Sequence, residues 1–294
     1  MRRFLLLTPV ALLLAAVVVM LATEYVVARP SHRTKNVPYV PAAAPDFDKG
    51  RHMLDVYSPE KPAPNGAGYP VVLFIHGGSW TSGSKNIYTF IGRRLAKKGM
   101  VAVIINYRLA PAVQVPAQAA DCARALTWTV NNIRQYGGDP ARVFVMGHSA
   151  GGGLAALLAT DDELLAANGL PKNPVQGAIM DAPAGLDMYS YLKEMKYEGD
   201  QQYLVPFGHD PAVWKQQSAI YKIRPGIPPF IFYIGGETYP SISGSSGRFR
   251  DRLKAIGQPA PYTIIPGRHH VAMVLKLYWQ NNIIYDGVLK LVGA

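Results

Sequence analysis

A single cysteine, Cys122, stands among 294 residues. It excludes an internal disulfide and any metal site built from cysteine pairs. Its place inside a helical stretch reads as a small buried apolar residue. Acidic residues are also scarce: 19 Asp and Glu face 30 Lys and Arg, leaving a net charge of +11. A basic excess of this size raises nucleic acid or an anionic surface as partners. No run of Lys or Arg is longer than two, as in Arg93-Arg94 and Lys97-Lys98, so the chain carries no nucleic-acid-binding block. Internal repeats are absent, which excludes a solenoid. What remains is a chain with 49% hydrophobic residues, long enough to bury a core as one large α/β domain.

Charge is missing altogether from Phe4 to Ala22, a run of 19 residues behind Arg2-Arg3. A bilayer-crossing helix needs about 20. Residues 1–28 therefore read as a membrane anchor with its basic end in the cytoplasm, or as a signal peptide cleaved near Val26-Val27-Ala28. Either reading exports the remainder, as a membrane-anchored protein facing the periplasm or exterior or as a secreted one. Residues 29–50 carry Pro30, Pro38, Pro41 and Pro45 and no hydrophobic period, which predicts a linker. The folded domain is expected over 51–294.

From Arg51 on, strand and helix patterns alternate. Met53–Tyr57 alternates like an edge strand, while Val71–Ile75, Val101–Tyr107, Val175–Met180 and Phe230–Ile234 are continuous apolar runs, as strands covered on both faces are. Helical spacing covers 87–98, 116–136, 245–256 and 271–291, and Tyr262–Ile265 is a last strand. The Ser/Gly run over 241–247 reads as a flexible lead-in to a helix. The alternation predicts a mostly parallel sheet with helices on both faces.

Two stretches carry chemistry. Arg142–Gly147 is an apolar strand that runs into Gly147-His148-Ser149-Ala150-Gly151, followed by an Ala/Leu-rich helix. A G-x-S-x-G turn between strand and helix exposes its serine above the sheet. Val71–Ile75 runs into His76-Gly77-Gly78-Ser79-Trp80. Acyl transfer needs fixed N–H donors for an oxyanion; Gly77, Gly78 and Ala150 are the candidates.

With Asn106-Tyr107-Arg108-Leu109-Ala110-Pro111 and Tyr136-Gly137-Gly138-Asp139-Pro140, these motifs resemble, in order and spacing, the α/β-hydrolases of the HGG esterase and lipase type. The nearest branch looks like the acetyl/feruloyl-esterase-like and prenylcysteine-methylesterase-like carboxylesterases. The resemblance implies an α/β-hydrolase fold with a small insert over the site, and a triad in the order nucleophile, acid, histidine. Ser149 is the implied nucleophile. The base falls on His269 or His270; His270, before Val271-Ala272-Met273, fits the family pattern better. The acid falls on Glu237, in Gly235-Gly236-Glu237-Thr238, where relatives mostly carry Asp; Asp187 is the alternative. His76 is expected to support the oxyanion loop and His148 to bond locally. In the insert over 187–224, Tyr189, Tyr191, Tyr197, Tyr203, Phe207, Trp214 and Tyr221 either line an acyl pocket or pack a small core of their own. The resulting expectation is a serine carboxylesterase without metal or cofactor, acting on a small or polymer-linked ester. The alternatives are an arylformamidase-type amide hydrolase and a binding protein on the same fold.

Overall fold

The structure is a computed structural model and describes residues 31–196 and 199–293. Eight strands form one sheet: β1 (Ser31–Pro38), β2 (Met53–Pro59), β3 (Tyr69–Ile75), β4 (Val101–Ile105), β5 (Gly138–His148), β6 (Val175–Asp181), β7 (Phe230–Glu237) and β8 (Tyr262–His269). Their order is β1-β2-β4-β3-β5-β6-β7-β8. β1 and β2 pair antiparallel, β2 and β4 pair antiparallel, and all other pairs are parallel. The helices are α1 (Thr89–Lys97), α2 (Val115–Asn132), α3 (Ala150–Thr160), α4 (Asp162–Ala167), α5 (Met188–Glu194), α6 (Leu204–Phe207), α7 (Pro211–Gln216), α8 (Pro240–Ala255), α9 (His270–Lys276) and α10 (Ile283–Val292).

Strand alternation sorts the core into two layers. Val71, Leu73 and Ile75 of β3 point to the face covered by α2, α3 and α8, where Leu126, Leu154 and Phe249 meet them in one buried cluster. Val72 and Phe74 point the other way, to Ile91 and Leu95 of α1, Met273 of α9 and Tyr285 of α10. Both faces of the central strands are dry, which explains their unbroken apolar sequence. Parallel strands end together, so the turns after β3 and β5 meet at one edge, with the register pairing Ile75 with Gly147.

Three sequence expectations change here. Residues 29–50 do not run as a linker: Ser31–Pro38 is the edge strand, and Met53–Pro59 lies inside it as the second strand. The strand escapes a hydrophobic reading because polar groups hold it. Buried Asp55 receives Arg33, the N–H of Asn36 and Lys85. The Ser/Gly run over 241–247 is not a lead-in but the first two turns of α8. Pro240 opens this helix, at a position where its missing N–H costs nothing. Ile242, Ser245, Ser246, Phe249 and Leu253 form its buried stripe, so close packing of small residues overrides their poor helix propensity. The last helix is two: Asn282 accepts from the N–H groups of Ile284 and Tyr285 and donates to the carbonyls of Lys276 and Trp279, closing α9 and opening α10. The expected N-terminal anchor or signal, residues 1–28, lies outside the described residues. Among the described residues no helix is long and apolar enough to cross a membrane.

Candidate active site

Ser149 sits between β5 and α3 with φ 54° and ψ −125°, a backbone region that side chains other than glycine rarely enter. Close packing enforces the turn. A β-carbon on Gly147 would run into the carbonyl of Gly151, and one on Gly151 into the carbonyl of Ile75. The elbow is further tied down by the Ser149 N–H to the Asp181 carbonyl, 3.2 Å, and by the Ala184 N–H to the Ser149 carbonyl, 2.8 Å.

His270 is the first residue of α9, and its Nε2 lies 2.8 Å from Ser149 Oγ. His269 precedes it at the end of β8, turned outward with its side chain 77% exposed. Of the two candidate bases the structure therefore brings His270 to the serine. The expected acid does not follow. β7 and β8 pair Glu237 with His269, so the Glu237 carboxylate meets His269 Nε2 at 2.9 Å and not His270. Nδ1 of His270 instead faces Thr238 Oγ1 at 3.4 Å. Asp187, the alternative acid, is occupied: one oxygen takes Arg248 Nε and a second guanidinium N–H at 3.1 and 2.8 Å, and the other caps α5 through the Ser190 N–H.

A histidine–aspartate pair missed in the sequence lies under the base. His148 Nδ1 bonds Asp181 Oδ2 at 2.9 Å, both side chains being buried, and the His148 ring stacks on His270 with centroids 4.9 Å apart. The one sequence signal for Asp181 is a carboxylate at the end of the apolar run of β6; nothing there names His148 as its partner.

The loop His76–Gly78 is clamped through its peptide planes. In a trans peptide the C=O and the following N–H point in opposite directions. Tyr107 OH donates to the His76 carbonyl at 3.0 Å, and His76 Nδ1–H donates to the Gly77 carbonyl at 2.8 Å. These bonds hold the His76–Gly77 and Gly77–Gly78 peptides, and so fix the N–H groups of Gly77 and Gly78. Neither N–H donates to a backbone carbonyl among the described residues. A β-carbon on Gly77 would come within 3.0 Å of the Ser149 β-carbon, so this backbone abuts the serine. Ala150 begins α3, where N–H groups have no intrahelical partner. The three candidate donors thus surround Ser149.

A cavity of about 800 Å³ opens over Ser149 and His270. Trp80, Tyr191, Tyr203 and Tyr239 line it, with Asp187 and Arg248. The insert aromatics divide between the two readings. Tyr191 and Tyr203 face the cavity, while Phe207 and Trp214 are buried, Phe207 against Trp80. Tyr189 and Tyr221 pack edge to face, and Tyr197 lies outside the described residues. One group of possible metal donors, Asp46, His52 and Asp121, stands apart from the cavity. Its carboxylates already bind Arg108 and Arg124, which fills the place of a cation.

Burial pushes His270 down to about 3, with a further push from His148, and pushes His76 down to about 4 against the opposing bond to Gly77. Both rings are neutral at pH 7, and neutral His270 is free to accept a proton. The unfolded chain binds these protons from about pH 6.5 downward. Stability is therefore full above that value and falls as pH drops from 6.5 toward 4, by about 1.4 kcal/mol per pH unit for each ring. Urea midpoints measured at pH 7.5, 6 and 5 are expected to show this slope, and His76→Gln should remove one ring's share of it. A flat profile to pH 5 would contradict the buried neutral rings.

Residues 54–244 match the BD-FAE family. The isoprenylcysteine alpha-carbonyl methylesterase ICME of Arabidopsis thaliana is 26% identical over 84% of this chain and 60% of its own length. The esterase LipQ of Mycobacterium tuberculosis is 29% identical over 90% of this chain and 63% of its own. The chain thus spans about three fifths of these curated relatives. Among solved structures, esterase B of Lactobacillus rhamnosis superposes with a TM-score of 0.74 at 24% identity, covering 97% of this chain and 93% of that one. That likeness carries the fold, an α/β-hydrolase fold. With the family match covering well over half its length, the chain belongs to the BD-FAE family.

Proposed function

We propose that the protein is a serine carboxylesterase. The observation that carries this reading is the 2.8 Å approach of His270 Nε2 to Ser149 Oγ. In the proposed cycle His270 takes the hydroxyl proton while Ser149 attacks the ester carbonyl. The N–H groups of Gly77, Gly78 and Ala150 receive the negative charge on the carbonyl oxygen. His270 then protonates the departing alkoxide, leaving an acyl group on Ser149. Water, deprotonated by the same ring, releases the acid. For Nε2 to accept, Nδ1 must carry the proton, and Thr238 Oγ1 is its acceptor. A hydroxyl orients the ring but adds no charge to balance the imidazolium.

The names of the relatives, an esterase and a methylesterase, support ester over amide substrates. The uncharged run behind Arg2-Arg3 supports export, with the domain held at a membrane or released from it. The test is a series of p-nitrophenyl esters of increasing acyl length. Turnover is expected, with a maximum at the acyl length the cavity accommodates. A folded protein that hydrolyses none of them would sink the reading.

A further inference from the structure

Half of the ten exposed large hydrophobic side chains among the described residues belong to one stretch of surface. Tyr239, Val271, Leu275, Trp279 and Ile283 are between 45% and 60% exposed. Val271 and Leu275 lie one turn apart on α9, and Trp279 follows in the turn that continues it. Ile283 opens α10. The inner end of this stripe is the active-site wall: Tyr239 and Val271 both line the cavity, and the Tyr239 ring lies 5.2 Å from that of His270. Ile87, next in sequence to Tyr88 of the cavity wall, is 62% exposed. An apolar rim of this kind marks an interaction site.

The charges beside the stripe are mainly basic, Glu237 being tied to His269 at its inner end. Gln280, its amide turned so that the oxygen meets its neighbours, receives exposed Lys97 at 3.0 Å and buried Arg94 at 3.2 Å. Lys276 follows Leu275 on α9, and Lys98 lies over the Tyr285 ring. Asp286, on the first turn of α10, is the acidic residue on these elements. Apolar side chains with a tryptophan among them, flanked by lysines, make a surface that settles at the boundary of an anionic bilayer.

We propose that this face docks on an anionic lipid bilayer and turns the mouth of the Ser149 cavity toward esters held in it. The inference rests on the esterase reading for its substrate, but not for the docking. Trp279 supplies the probe, because Trp80 and Trp214 are buried and Trp128 is half-buried. The full chain is mixed with vesicles of phosphatidylcholine and phosphatidylglycerol whose acyl chains carry bromine. Quenching of tryptophan emission is expected, and Trp279→Ser should remove most of it. In the double variant Leu275→Glu with Trp279→Ser, hydrolysis of a long-chain p-nitrophenyl ester dissolved in the vesicles should fall on the order of tenfold. Hydrolysis of p-nitrophenyl acetate in solution should stay unchanged.

Equal quenching in parent and Trp279→Ser would overturn the proposal, as would undiminished hydrolysis of the embedded ester. So would failure of iodide to quench Trp279 without vesicles, since a second copy or residues 1–30 would then already cover the stripe. If the parent does not hydrolyse p-nitrophenyl acetate, the esterase reading fails, while bromine quenching still decides the docking.

Discussion

Ser149→Ala is expected to remove ester hydrolysis, by about 10⁶-fold in kcat, the size of the loss when the nucleophile of a serine protease is removed. The fold should not change. The side-chain bond lost is the one to His270, and the bonds that hold the elbow run through the Ser149 backbone. Alanine keeps the β-carbon, so the strain at φ 54° is the same before and after. Purified variant and parent, compared by initial rates and by thermal unfolding, check both halves. A folded variant with more than a few per cent of parental turnover would place the nucleophile elsewhere.

A loss of similar size is expected for His270→Ala, because the Ser149 hydroxyl then has no base within reach. The neighbours should behave differently. His269→Ala and Glu237→Gln break a pair on the exposed side of β7 and β8, and each should change kcat by no more than a few-fold. Thr238→Val removes the acceptor for Nδ1 and should cost about tenfold or more, since an unheld ring populates the wrong tautomer. The discriminating comparison is Glu237→Gln against Thr238→Val at one pH, with circular dichroism to exclude unfolding. A drop approaching 10⁴ in Glu237→Gln, about the size seen when a triad carboxylate is neutralised, would mean that Glu237 turns onto His270 during the reaction.

Much of this site was legible because its parts are local. Gly147-His148-Ser149-Ala150-Gly151 reads as a turn in itself, although one carbonyl that leaves no room for a β-carbon, against Gly151, belongs to Ile75 of β3. His76-Gly77-Gly78 reads in the same way as a glycine turn after a strand. The parallel sheet was legible because β3 to β6 are apolar on both faces. What failed depended on contacts distant in sequence. The partner of His270 is set by how β7 registers against β8, and a one-residue choice there separates Glu237 from Thr238. The pair His148–Asp181 joins two strands, and although a carboxylate ends the apolar run of β6, nothing in sequence ties it to His148. β1 was invisible because Asp55, 19 and 22 residues along the chain, holds Asn36 and Arg33 through charge and not through apolar packing. The Ser/Gly start of α8 looked flexible because its helix is stabilised by close packing, not by propensity.

The central claim is that Ser149 is a nucleophile activated by His270. Its most direct measurement is reaction of the intact protein with a fluorophosphonate, followed by peptide mapping in a mass spectrometer. One phosphonyl group per chain on the peptide that carries Ser149 is expected, with loss of ester hydrolysis in step and no labelling of His270→Ala on the same timescale. A label on any other residue that tracks the loss of activity, or full activity with no label on Ser149, would contradict the account.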